Sequence, residues 1–345
     1  MRVLFLVYPH IGLGQGGLQL QIQRTAAGLL DAGVEVVFYD PWTNGIEEAD
    51  VCHVFGFLSS MRFHVSRAKA CGKPVVISPV LNVFSFSRAR LRLQVFLSNA
   101  VPGMLREWRH IQRMLRECDQ VIALNVEERN ILTRYFGVQK HKCTVIPNGL
   151  DLRMTRATPE RARTRLGFDD YVLSVGSICQ RKNQLTLIRA MRGLPHRLVL
   201  VGGATQEDAA YYRACRSEAG DNVHFLGAVD NENSLLPSLY AAARLFVLPS
   251  FSEVMPLTLY EAALSGCRVV ASRNFPISKE LKGCARRVPP RSVKCLRRVI
   301  REEMGDTRHG GGRRAITDMA SWKTVTDDIR GVYAMLCKHC ERVET

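Results

Sequence analysis

The N-terminal stretch Val3-Leu-Phe-Leu-Val7, running through Pro9-His-Ile11 into Gly12-Leu-Gly-Gln-Gly-Gly17, reads as a strand, a glycine-rich turn and the start of a helix. Its first five residues are apolar without a break, as expected of a strand buried on both faces of a parallel sheet. A helical pattern covers 18–31, and further apolar runs follow at Glu35-Val-Val-Phe-Tyr39, Val51-Cys-His-Val54 and Pro74-Val-Val-Ile77, with helical stretches among them. Strands alternating with helices predict an α/β fold built on a doubly wound parallel sheet. Gln120-Val-Ile-Ala-Leu124 and Cys143-Thr-Val-Ile146 continue the series until Pro147-Asn-Gly149 breaks it.

Arg-rich polar sequence to about residue 168 leads into a second unit that starts in the same way. Tyr171-Val-Leu-Ser-Val175 is a strand, Gly176 to Asn183 a turn, and a helix follows to Met191. More strands are expected at Leu198–Val201, Val223–Phe225, Leu245–Leu248 and Arg268–Ala271. With about 100–200 residues per domain, the 345 residues suit two domains, 1–150 and 151 onward. A hinge near residue 149 then puts a cleft between the carboxyl ends of two sheets, where a ligand is expected.

Hydrophobic residues at 46% and charged residues at 23% exclude a disordered chain, a collagen-like repeat and a coiled coil. The charge is unusual: 48 Lys and Arg, of which 38 are Arg, stand against 32 Asp and Glu, for a net +16. Such a surplus favours phosphate-bearing or polyanionic partners. No stretch reaches the roughly 18 apolar residues of a membrane-spanning helix, and Val3–Val7 is too short for a signal segment, so a cytoplasmic protein is expected. Eleven cysteines between Cys52 and Cys340 suit free thiols in a reducing compartment, and Cys337-x-x-Cys340 lacks the second ligand pair of a zinc site.

Gly12-x-Gly14-x-x-Gly17, with Asp40 after the next strand, formally matches a dinucleotide fingerprint. Pro9, His10 and Ile11 separate the strand from its first glycine, which fits NAD poorly but leaves a helix start suited to any phosphate. In the second unit Leu248-Pro-Ser-Phe-Ser-Glu253 runs from strand into loop, and Pro256 marks the first turn of a helix. That helix leaves the N–H groups of Leu257 and Thr258 for an anion. Glu261, eight residues after Glu253, offers a carboxylate to vicinal sugar hydroxyls. Arg181 and Lys182 lie beyond the Gly176 turn, where two cations neutralise a diphosphate leaving group.

Together these residues resemble the retaining glycosyltransferases of the GT-B fold, family 4 (glycosyl transferases group 1). The resemblance takes in Gly16-Gly17, Val145-Ile-Pro-Asn-Gly-Leu-Asp151, the Gly176–Asn183 turn and Phe225-Leu-Gly227. It continues through Leu239-Tyr-Ala-Ala-Ala243, Pro249-Ser250, Glu253-x7-Glu261 with Ala262, and Gly266 to Ser272, ending in Trp322 and a last helix. It implies two Rossmann-like doubly wound domains facing a central cleft: 1–150 on the acceptor side, 151–321 holding the donor, and 322–345 crossing back to the first. A nucleotide sugar would be held by Arg181, Lys182 and the backbone at Leu257 and Thr258 on its diphosphate, beside the Gly176 turn. Glu261 would hold its ribose, Glu253 would face the transferred sugar, and Gly16 and Gly17 would close from the other side. No Asp-x-Asp triplet occurs, so neither a metal nor any cofactor beyond the donor is expected.

Three departures from the family pattern stand out. Ser177 replaces a frequent Arg, and Val254-Met-Pro256 replaces a glycine-containing run. The loop after Pro74–Ser78 reads Pro79-Val-Leu-Asn82, without the histidine many members carry there; His10, His53 and Asn82 are the candidates to substitute. In retaining transfer the leaving phosphate is thought to take the acceptor proton, so the missing histidine need not abolish activity.

The acceptor is left to the charge pattern. Residues 84–117 form a basic amphipathic segment with Arg88, Arg90, Arg92, Arg106, Arg109, Arg113 and Arg116 among apolar residues such as Leu93, Phe96, Met104 and Trp108, as in relatives that sit on an anionic membrane. A second basic run, 279–301, lies in the donor half, and the halves carry +6 and +10. The favoured acceptor is a lipid-linked or cell-surface glycan, reached peripherally at the inner face of the membrane. Duplex DNA carrying hydroxymethylated bases, and a donor-binding protein without transfer, are the alternatives.

Overall fold

A computed structural model describes residues 1–13, 16–84, 86–100, 105–230, 233–306, 316, 319 and 321–341. Gly14, Met104 and the side chains of His10 and Cys340 lie outside the described residues. The chain forms two compact units, Met1–Gly149 with Ala320–Thr345, and Leu150–Met319.

The first unit holds β1 (Arg2–Leu6), β2 (Glu35–Phe38), β3 (Val51–Phe55), β4 (Val75–Ser78), β5 (Gln120–Ala123) and β6 (Cys143–Val145). They make one parallel sheet in the order β2-β1-β3-β4-β5-β6. Side chains alternate across it. Leu4, Leu6, Cys52, Val54 and Ile77 enter a core on one face, while Val3, Phe5, Val51, Phe55 and Val76 enter a core on the other. Two wet-free faces are why the inner strands read as unbroken apolar runs. The helix Gly17–Asp31 and the last helix, Trp322–Glu341, cover the second face through Ile22, Leu29, Val325, Ile329 and Tyr333. A Cβ on Gly149 would lie 2.4 Å from the Cα of Trp322, so the chain leaving β6 passes directly under the start of the last helix.

His53 belongs to this core, which corrects its reading as an acceptor-side candidate. It is fully buried, its Nε2 lies 2.9 Å from the Ser78 hydroxyl, its Nδ1 meets the Tyr333 hydroxyl, and its ring stacks on Phe55. Burial pushes its pKa down from 6.5 to about 3, so the folded ring is neutral. The unfolded chain therefore takes up the proton first, and the stability His53 contributes is full above pH 6.5 and falls as pH drops toward 3. The slope is about 1.4 kcal/mol per pH unit. Urea unfolding between pH 4 and 7 should show it in the native chain and lose it in His53→Gln.

The second unit holds β7 (Tyr171–Val175), β8 (Leu198–Val201), β9 (Val223–Gly227), β10 (Ala243–Leu248), β11 (Arg268–Ser272) and β12 (Ala285–Val288). Its parallel order is β12-β11-β10-β7-β8-β9, so the winding reverses between β7 and β10. In a doubly wound sheet a ligand binds outside the carboxyl ends of the strands at that reversal. β12 was not visible in the sequence because Ala285-Arg-Arg-Val288 has too few apolar residues. It is an edge strand, and Arg286 is matched by Glu302 at 2.9 Å and Glu303 at 3.2 Å. Arg287 donates to the Phe275 carbonyl and Arg297 to the carbonyls of Arg189 and Ala190. Three cations of the basic run 279–301 are thus engaged within the second unit.

Candidate active site

Both strands that flank the reversal end in the loops singled out by sequence. After β7 the backbone turns at Gly176, φ 140°, and passes through a short 3-10 turn, Gln180–Lys182, to Asn183, φ 61°. Asn183 is buried, and its amide donates to the Pro249 carbonyl at 3.0 Å and the Pro290 carbonyl at 2.7 Å. The loop after β10 is stitched to the same turn. Phe251 N donates to Arg181 O at 2.8 Å, and Arg181 Nη1 donates to Ser252 O at 3.1 Å.

These bonds bring three charges together. Glu253 Oε1 lies 2.9 Å from Arg181 Nη1 and 2.8 Å from Lys182 Nζ. Lys182 is 12% exposed and Arg181 42%, so the lysine is the more desolvated partner. Burial pushes the Glu253 carboxyl up, but Lys182 and then Arg181 more than offset it and hold the carboxyl below the usual range. The lysine stem crosses Gly176, where a Cβ would come within 3.3 Å of its Cε.

The helix Leu257–Leu264 follows. Pro256 stands one position earlier than the sequence suggested, at the N-cap, where its own side chain offers no capping hydrogen bond. Leu257 and Thr258 are its first two residues, the positions whose N–H groups lack partners within a helix. The Thr258 hydroxyl is buried without a hydrogen-bond partner among the described residues. One turn on, Glu261 is buried and its Oε2 accepts from the Tyr240 hydroxyl at 2.9 Å. Burial, then the Glu261 carboxylate, raise the Tyr240 pKa well above its ordinary value, so it stays a neutral donor.

Gly176, Arg181, Lys182, Glu253, Leu257, Thr258 and Glu261 therefore all belong to one region of the second unit. Asn183 and Tyr240 are supporting residues the sequence did not reveal, because each acts through a contact distant along the chain. The remaining candidates lie in the first unit. Gly16 is the extended N-cap of the helix that Gly17 begins, and a Cβ on either would meet nothing within 4 Å. Asn82 lies in the loop after β4, and the backbone of His10 in the 3-10 turn Pro9–Leu13.

The fold and this site define a GT-B protein, and the comparisons agree. The profile Glycosyl transferases group 1 matches residues 159–287, and Glycosyltransferase Family 4 matches 46–153. The chain belongs to this glycosyltransferase family. A D-inositol 3-phosphate glycosyltransferase of Segniliparus rotundus is 33% identical over 278 residues, 77% of this chain and 58% of that protein. An alpha-galactosylglucosyldiacylglycerol synthase of Streptococcus pneumoniae is 32% identical over 140 residues, 37% of each chain. The chain thus spans little more than half, at most, of these two relatives' length. Among solved structures, sucrose-phosphate synthase from Thermosynechococcus elongatus superposes with TM-score 0.77 at 19% identity, over 97% of this chain and 99% of that one. Anabaena Alr3699/HepE in complex with UDP-glucose gives 0.73 at 19% identity, over 97% and 100%. At these identities the two structures establish the fold alone.

Proposed function

We propose that this chain is a retaining, metal-independent glycosyltransferase that moves a sugar from a nucleotide-sugar donor to a hydroxyl of a lipid-linked or cell-surface glycan. The observation that carries the reading is the Arg181–Lys182–Glu253 cluster at the winding reversal, next to a helix start with Pro256 at its N-cap and a buried Thr258 hydroxyl unpartnered among the described residues. A diphosphate leaving group gains charge as the sugar departs. Two fixed cations and a helix N-terminus stabilise that charge in place, the role a metal ion fills elsewhere. Glu261, oriented by Tyr240, is the carboxylate for the ribose hydroxyls, and Glu253 faces the sugar once the diphosphate engages the cations.

The lipid-linked acceptor is supported by the helix Arg88–Ala100. Arg88, Arg90 and Arg92 are exposed on it together with Leu93 at 55% and Phe96 at 64%, a combination suited to anionic lipid. The S. pneumoniae relative is named for a glycolipid product. Within 279–301, Arg286 is ion-paired to Glu302 and Glu303 and Arg298 to Glu302; strong, salt-dependent binding of duplex DNA without binding to liposomes would favour the DNA alternative. A thermal-shift screen of NAD against UDP-, GDP- and dTDP-sugars, followed by transfer assays with lipid-linked acceptors on anionic liposomes, tests the reading. One nucleotide sugar should stabilise the protein and yield product. Stabilisation by NAD alone would refute the reading, and donor binding without product on any acceptor would make the chain a binding protein.

A further inference from the structure

The loop after β4 is held in an unusual conformation. Val80 has φ 48°, a left-handed backbone that a β-branched residue adopts only against a steric cost. Val83 N donates to Leu81 O at 3.0 Å, closing a tight three-residue turn centred on Asn82, and Phe86 N donates to Val83 O at 3.1 Å. A strained loop of this kind needs an anchor outside itself. Glu128 supplies one: its Oε1 accepts from Leu81 N at 2.6 Å, its Oε2 accepts from Leu124 N at 2.7 Å, and its side chain is fully buried.

Glu128 is the third residue of the helix Val126–Tyr135, whose N-cap Asn125 accepts from Glu128 N at 2.8 Å. A glutamate there ordinarily turns back to the N-cap N–H. This one bridges the exits of β4 and β5, which are neighbours in the sheet. We propose that Glu128 is a positioning residue for the acceptor: its ionised carboxylate fixes the 79–84 backbone that carries Asn82. The proposal rests on the reading of the first unit as the acceptor side.

Burial raises the Glu128 carboxyl to about 7, against two backbone N–H groups that lower it. The titratable groups around it are the Cys143 thiol on β6, pushed up to about 12 first by burial and then by Glu128, and Arg129 on its own helix. Pro79 to Val83 and Leu124 carry none, and the helix Arg88–Ala100 packed alongside buries only Leu91, Val95 and Ser98. Above pH 7 both oxygens accept; below it one carries a proton that opposes an N–H. The loop is thus held best in the ionised state. A local opening that frees Leu81 N while Glu128 stays buried loses only a bond that lowers the carboxyl's pKa, so it is opposed more strongly as pH rises. Global unfolding, which hydrates the carboxyl, has the opposite sign: the contribution of Glu128 is full below 4.5 and is lost as pH rises through 7.

The test is amide exchange at Leu81 and Leu124 from pH 6 to 8, corrected for intrinsic rates, in the native chain and in Glu128→Gln, alongside donor and acceptor kinetics. Protection in the native chain should grow as pH rises through 7, and Glu128→Gln should lose it by about tenfold, the scale of one hydrogen bond to a charged group. KM for the acceptor should rise by about the same factor with donor affinity unchanged, and the fall in acceptor kcat/KM below pH 7 should flatten. Native-like protection in Glu128→Gln, or native acceptor KM and pH profile, overturns the proposal while leaving the transferase reading intact. Donor binding without transfer by either protein refutes the acceptor role and the transferase reading together.

Discussion

Lys182→Ala is expected to lower kcat/KM for the nucleotide sugar by about 10²–10³, the loss typical of removing one preorganised donor from a developing anion. Lys182 is the better desolvated of the two cations, its stem lies against Gly176, and its ammonium is 2.8 Å from Glu253. A charge in that setting acts in a low local dielectric and needs no reorganisation when the diphosphate departs. The fold should survive, because Glu253 keeps Arg181 at 2.9 Å and is not left as an unpaired buried charge. Lys182→Arg should not restore the rate: a planar guanidinium is bulkier than the ammonium that now fits over Gly176. Arg181→Ala should cost less, because its side chain is 42% exposed and partly screened. Steady-state kinetics with a melting curve as control decide the matter. An unchanged kcat/KM in Lys182→Ala would remove the lysine from the chemistry.

The sequence made the sheets legible wherever a strand is buried on both faces. Tyr171–Val175, apolar but for the buried Ser174, and Leu198–Val201, apolar from end to end, were bounded correctly because each stops at a turn. β12 escaped because an edge strand can carry Arg286 and Arg287, whose partners Glu302, Glu303 and Phe275 lie elsewhere in the chain. The candidate ligand region drew on the opposite signal: Arg181, Lys182 and Glu253 are polar residues placed just past strand ends, and the structure brings them within ion-pair distance. Asn183, Tyr240 and Glu128 were not legible, since what marks each is a hydrogen bond made across the fold. His53 misled in an instructive way. A histidine inside Val51-Cys-His-Val-Phe55 was surrounded by evidence of burial, and its two ring nitrogens are satisfied by Ser78 and Tyr333.

Gly202→Ala should combine destabilisation of about 3 kcal/mol or more with a loss of donor affinity beyond tenfold, although residue 202 carries no functional group. Its φ of 143° is open to glycine, and a Cβ built there would lie 2.1 Å from the Gly176 carbonyl oxygen and 3.3 Å from Ser177 N. Neither neighbour can yield easily. Gly176 N donates to Val201 O at 2.9 Å, Ile178 N donates to Gly203 O at 2.7 Å, and Gly202 N donates to Gly227 O at 2.7 Å. The added methyl must therefore push the Gly176–Ser177 backbone outward, and with it the surface on which the Lys182 stem rests. Gly227→Ala separates strain from displacement: φ is 81° there, but a Cβ would meet nothing within 4 Å. That variant should lose only about 1–2 kcal/mol and bind donor normally. If Gly202→Ala keeps native donor affinity while Gly227→Ala sets the scale for strain alone, the close approach of the β7 and β8 exits does not position the lysine. If affinity falls only in Gly202→Ala, the alignment of Lys182 depends on a glycine twenty residues away in sequence.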